Sequence, residues 1–280
     1  MAIAAESLRV TPESVARCAQ ITADLLNRSY LAKGSSQPVV LTGLTQDWPA
    51  LTTWSFDFFD LRYGQESVLV TDHLGSKNIQ KVQLSAYLDY VRNPSGAFLA
   101  GKRSDAPWYS PYWCPFADHP ELLADFDLSE AVENWMPAPE AVAARPGSSE
   151  EIMARWALRG FMWLFIGPSG TFTPRHLDTL NTHAWNCQIT GRKRFDIWRP
   201  RAPDDGTPAD LSVVLEPGET LIIPTGWGHS VTALEPSISL TGNFFNATNA
   251  ADFFRAIYAQ PDTWSAKGRL VPELKAAIRQ

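Results

Sequence analysis

A chain of 280 residues with 45% hydrophobic content can build a sizeable core, yet no apolar run in it approaches the roughly 20 residues that cross a bilayer. The formal charge of −6 offers no electrostatic preference for nucleic acid or an anionic membrane surface. Cys18, Cys114 and Cys187 lack CxxC or CxxH spacing, which argues against a disulfide framework or thiolate zinc and, with no export signal in MAIAAESLRV, fits a reducing cytoplasm.

In chain order, Thr11-Pro12-Glu13 has the form of a helix start, and Val15, Cys18, Ala19, Leu25 and Leu26 follow at helical spacing. The pattern predicts an amphipathic helix over residues 12–30. AKGSSQP (32–38) reads as a loop and VVLTGL as a strand behind Pro38. Short apolar or alternating runs then recur between Gly, Pro, Asp and Asn: SVLVTD, AFLAG, FMWLFIG, WNCQIT, RFDIW, LSVVLE, TLIIP and SISLTGNFF. Many short strands with close turn signals predict a mainly β sandwich or barrel, with TGRKR as a tight hairpin. Residues 116–158 read as an insertion with short helices in HPELLADF and EEIMARWAL, and AADFFRAIYAQ and PELKAAIRQ as C-terminal helices. The picture is one β domain with helical flanks.

Chemistry concentrates in TPRHLDTLNTHAWN, residues 173–186, which holds two of the five histidines. In extended chain, His176 and Asp178 share a face and supply two of the three donors of a facial triad that leaves metal positions open. His229, behind EPGETLIIPTGWGH, is the candidate third ligand, because Pro224 and Gly226 permit a bend that presents an imidazole. His183, His73 and His119 read as turn or loop histidines. Spacing alone also fits a surface histidine with a nearby aspartate; the surrounding sequence tips the balance. Lys193 in GRKR is either a solvated hairpin lysine or a buried cation. The aromatic, proline-rich APWYSPYWCPF (106–116) either packs as a lid or faces a substrate. Trp108, Tyr109, Tyr112 and Trp113 are its pocket candidates, together with Trp185 and Trp227, for which core packing is the commoner explanation.

The segment WLFIGPSGTFTPRHLDTLNTHAWNCQITGRKRFDIWRP, with LEPGETLIIPTGWGHSV, SISLTGNFF and PVVLTGLTQDWPAL, resembles the Jumonji-C and cupin-like iron(II)- and 2-oxoglutarate-dependent oxygenases. The T-x-A-W-N step is similar to the branch with lysyl hydroxylases. The resemblance implies a double-stranded β-helix (jelly-roll) core over residues 38–246. It implies His176, Asp178 and His229 as iron ligands, and Lys193 as partner of the distal carboxylate of 2-oxoglutarate. Thr173, Asn186 and Thr241 match positions that contact or lie near the cosubstrate, and Asn243 one that borders the metal pocket. Many relatives place a tyrosine on that carboxylate where this chain aligns Phe98. The implied reaction consumes dioxygen, converts 2-oxoglutarate to succinate and carbon dioxide, and hydroxylates a C–H bond of an amino-acid-like, peptide, protein or natural-product substrate. Asp178 disfavours halogenation, which needs a small residue there. Demethylation of an N-methyl group, RNA modification and a non-catalytic binding role are the alternatives, and the resemblance also implies a homodimer through the C-terminal helices.

Overall fold

The computed structural model describes residues 12–73, 77–94, 98–99, 106–135 and 161–259. Fourteen strands are present among them. β1 is Glu13–Ser14, β2 Ala16–Cys18, β3 Val39–Leu41, β4 Ser67–Thr71, β5 Ile79–Gln83, β6 Ser110–Trp113 and β7 Met162–Gly167. β8 is Phe172–His176, β9 His183–Thr190, β10 Lys193–Trp198, β11 Leu211–Leu215, β12 Thr220–Ile223, β13 Gly228–Ala233 and β14 Ser237–Phe244. They form a five-stranded sheet, ordered β1-β11-β10-β13-β8, and a seven-stranded sheet, ordered β2-β3-β12-β9-β14-β7-β6; β4 and β5 pair separately. From β7 to β10, and again from β11 to β14, each connection carries the chain from one sheet to the other. This is the expected jelly-roll core.

Strand alternation divides the apolar residues into two layers. Trp185, Cys187 and Ile189 of β9 join Ile222, Ile238, Leu240 and Phe244 against the outer helices α2 (Pro49–Thr53), α3 (Phe56–Tyr63) and α4 (Leu84–Arg92). Ala184, Leu221, Ile223, Phe195, Ile197 and Val231 fill the space between the sheets. Asn186 and Gln188, in phase with Ala184, therefore face the interior. There the Ser239 hydroxyl donates to Gln188 Oε1 at 2.9 Å.

Three expectations are corrected. Residues 12–30 are not one helix: β1 and β2 lie parallel to β11 and β3, followed by the short helix α1 (Ala23–Leu26) and a π-turn over Asn27–Leu31. Strand edges with unpaired N–H and C=O groups outcompete a helical pattern whose Leu25 ends 41% exposed. TGRKR turns sharply, with Gly191 at φ +70, but it is no hairpin, since β9 and β10 belong to opposite sheets. A Cβ on Gly191 would lie 2.1 Å from the Pro236 carbonyl oxygen, so the crossing needs glycine there. In AFLAG, Phe98 and Leu99 form a bend rather than a strand. HPELLADF makes a 3-10 turn at Pro120–Asp125, and AADFFRAIYAQ supplies helix α5 (Ala250–Ala259). EEIMARWAL and PELKAAIRQ lie outside the described residues. No helix among the described residues is long and apolar enough to cross a membrane.

Gly242 of β14 marks how closely the layers meet beside the site. A Cβ there would sit 2.7 Å from the Trp185 ring and 2.9 Å from the Phe161 carbonyl oxygen. Gly242→Ala should cost about 1–3 kcal/mol, read as a lower urea midpoint at unchanged slope. An unchanged midpoint would show that the strands part freely at this point.

Candidate metal centre

Among the described residues, β8 is the edge strand of the five-stranded sheet and pairs with β13. Its register sets His176 opposite His229, then Thr173 opposite Val231. Two residues on β8, Pro174 and Arg175, thus face one on β13, Ser230, which makes a bulge. The extra residue resets the alternation, so Thr173 and His176 face inward together although they are three apart in sequence. Proline suits the position because it brings no N–H to the ladder.

His176, Asp178 and His229 each offer one ligand atom, all within 4.8 Å of one another, the two imidazole centroids 4.2 Å apart. His176 Nδ1 lies 2.9 Å from the Pro174 carbonyl oxygen, and His229 Nδ1 lies 3.5 Å from that of Trp227. A carbonyl only accepts, so Nδ1 carries the proton in both rings and Nε2 keeps the lone pair an ion requires. Burial pushes the His229 imidazole down to about 4, which keeps it neutral at physiological pH. Asp178 lies beyond the end of β8, where its Oδ1 accepts from Asn243 Nδ2 at 2.9 Å. The same amide donates to Thr182 Oγ1 at 2.8 Å. Leu177, between the ligands, points outward and is 61% exposed.

Deeper in the barrel stands Lys193, 1% exposed. Its Nζ has no hydrogen-bond partner and lies over the rings of Phe165, at 5.4 Å, and Tyr109, at 5.8 Å. Burial pushes the ammonium down to about 7. A cation in this position lacks its counter-ion. Its neighbours Arg192 and Arg194 turn outward as their alternation requires, pairing with Glu235 and Asp196.

The other candidates separate clearly. Thr173 is buried on the inward face of β8, and the Asn186 Oδ1 is buried without a partner. Thr241 gives its hydroxyl proton to the Trp185 carbonyl oxygen at 2.7 Å, and Asn243 is engaged with Asp178 rather than with a cosubstrate pocket. Of the pocket candidates, Trp108, Trp113 and Trp185 are buried in the outer core and Trp227 in the inner one. A large indole in a sandwich of this size is core material before it is a pocket wall. Tyr112 has no described side chain. Tyr109 is the exception: it directly precedes β6, which pairs with β7 in the seven-stranded sheet, and its ring lies beside Lys193. Phe98, aligned with the relatives' tyrosine, stacks instead on Tyr90 at 4.5 Å. The aromatic hydroxyl residue at the cation is therefore Tyr109, eleven positions further on. Phe165 escaped the sequence reading, although its alternation with the outer-core residues Leu164 and Ile166 in FMWLFIG marks it as inward-facing.

The donor set fits a mononuclear metal. Two imidazoles and a carboxylate suit a divalent iron, and an orphaned cation deeper in the same barrel suits an acidic cosubstrate. Fold and site together define a jelly-roll protein of the cupin class with a facial set of metal ligands.

Comparison with known proteins agrees. The model of the "Cupin-like domain" matches residues 23–205, well over half of the chain. The lysine-specific demethylase JMJ21 of Arabidopsis thaliana is 28% identical over 270 residues, covering 84% of this chain and 26% of its own length. The bifunctional arginine demethylase and lysyl-hydroxylase psr-1 of Caenorhabditis elegans is 24% identical over 248 residues, 76% of this chain and 56% of that protein. The 2-oxoglutarate and iron-dependent oxygenase JMJD4 of Danio rerio is 28% identical over 116 residues, 32% of this chain and 28% of that protein. The chain belongs to the Jumonji-C, cupin-like family of iron(II)- and 2-oxoglutarate-dependent oxygenases. It spans about a quarter to rather more than half the length of these relatives. The match to the family model ends at residue 205, before His229, and here the strand register locates the third ligand.

Proposed function

We propose that this chain hydroxylates a C–H bond of an amino-acid, peptide, protein side-chain or natural-product substrate, coupled to conversion of 2-oxoglutarate to succinate and carbon dioxide. The observation that carries this reading is the buried, unpartnered Lys193 ammonium in the barrel that also gathers His176, Asp178 and His229. A binding protein without turnover has no reason to retain both an open triad and a desolvated cation.

When bound, iron and 2-oxoglutarate supply the oxidising chemistry. The triad residues would hold the ion on one side and leave the other for cosubstrate and dioxygen. Lys193 would pair with the distal carboxylate, and Tyr109 lies close enough to share that contact. The Phe165 and Tyr109 rings over the ammonium exclude water around the pair, which strengthens it. Asn243 holds Asp178 in place, and the Pro174 and Trp227 carbonyls fix the tautomers of the two histidines.

The names of the relatives favour a second outcome, demethylation, in which the oxidised carbon is an N-methyl group and formaldehyde is released. The site's geometry serves both reactions, and the substrate carbon decides between them. The test begins with anaerobic titration of metal-free protein with iron(II) and then 2-oxoglutarate. A saturable visible charge-transfer band, lost in His176→Ala, is expected. Admission of air with candidate peptides should then give succinate with either a 16-dalton gain or formaldehyde. Well-folded protein that shows no band would sink the reading.

A further inference from the structure

We propose that His183, which is not a metal ligand, is a positioning residue that sets the arm carrying His229. The inference rests on the reading that the triad holds a divalent metal.

His183 opens β9 and is fully buried. A neutral imidazole offers one acceptor and one donor, and both are used here. The Thr225 N–H donates to Nδ1 at 2.9 Å. Nε2 must then carry the proton, which it gives to Thr248 Oγ1 at 2.8 Å; that hydroxyl in turn donates to Asn246 Oδ1 at 2.7 Å. Burial pushes the imidazole down to about 3, so this neutral tautomer persists at physiological pH.

Thr225 lies in the turn between β12 and β13. After it come Gly226 at φ +83 and Trp227, whose carbonyl faces His229 Nδ1. One continuous path therefore runs from the His183 ring through the turn to the orientation of the ligand. Its neighbour Thr182 steadies the other arm: it donates to the Thr179 carbonyl oxygen at 2.8 Å and accepts from the Asn243 amide that holds Asp178. Two consecutive residues thus brace two ligands that are 51 positions apart in sequence (229 − 178). A leucine would fill the cavity but leave the Thr225 N–H unanswered, and that turn would relax.

Two substitutions separate the halves of the ring. The Oδ1 of asparagine falls where Nδ1 lies, and the Nε2 of glutamine falls where the imidazole Nε2 lies. His183→Asn therefore keeps the bond to Thr225, and His183→Gln keeps only the bond to Thr248. Cobalt(II) alone, titrated into metal-free protein and followed by its d–d absorbance, is the probe, with circular dichroism to show that each variant is folded. His183→Asn should bind cobalt like the parent. His183→Gln and His183→Leu should bind roughly 10-fold or more weakly, the usual effect of removing a partner one step from a ligand.

A purely structural histidine would lower all three melting temperatures and leave cobalt affinity unmoved; that result, or equal affinities for the Asn and Gln variants, overturns the proposal. If His183→Leu does not fold, the Asn and Gln pair still decides. If the parent binds cobalt and the pair does not differ, only this inference falls. A parent that takes up no cobalt removes the functional reading and this inference together.

Discussion

Replacing Lys193 with methionine should abolish 2-oxoglutarate binding and also raise the melting temperature of the metal-free protein. Both effects come from one buried charge. The ammonium's pKa falls from 10.5 to about 7 on folding. Below pH 7 both folded and unfolded chains carry the proton, and the folded one bears the whole cost of desolvation. Between pH 7 and 10.5 the folded protein releases the proton while the unfolded chain keeps it, so stability rises with pH across that window. Methionine fills similar space without charge. A gain of about 2 kcal/mol at pH 7 corresponds to roughly 4–8 °C for a chain of this size. The gain should shrink when both proteins are melted at pH 9.5. Cosubstrate binding runs the other way: the dicarboxylate needs the ammonium, so wild-type affinity should fall as pH rises above 7, with proton uptake visible by calorimetry in buffers of different ionisation enthalpy. A methionine variant that binds 2-oxoglutarate within tenfold of wild type would place the cosubstrate elsewhere.

Asp178→Asn should separate charge from shape. The amide can still accept from Asn243 through its oxygen, so the melting temperature of the metal-free protein should barely move. The anionic donor is gone, and metal affinity should fall by at least ~100-fold, beyond the range seen for residues that only orient a ligand. Succinate production should vanish with it. His229 adds no complication between pH 6 and 8, because burial keeps its lone pair free of a proton there. Near-normal metal affinity in this variant would show that the carboxylate is not a ligand.

The central strands were legible in the sequence because they rest on local rules, alternation and turn residues. The HxD pair alone was weak; the surrounding motif together with a distant histidine was needed to point to the three residues that the fold brings together. What escaped depends on partners far along the chain. Glu13–Ser14 and Ala16–Cys18 are strands only because β11 and β3 present free edges to them, which no helical periodicity can reveal. The bulge that turns Thr173 and His176 to one side is visible only once β13 is laid beside β8. Tyr109 rather than Phe98 lies beside Lys193 because the pairing of β6 with β7 carries its segment along the barrel sheet. The tryptophans were ambiguous for a simpler reason. An indole that lines a pocket and one that fills a core look identical in sequence, and here Trp108, Trp113, Trp185 and Trp227 are buried in the cores.

The edge position of β8 has a further consequence. An outermost strand with one neighbour is where a sandwich opens at least cost, and this one carries His176 and leads directly into Asp178. Its partner among the described residues, β13, carries His229. An ion shared by the three would act as a rivet across that seam, tying the edge strand to the next. Loading the metal and closing the fold are then one local equilibrium, in which the empty protein samples a frayed margin and the filled one does not.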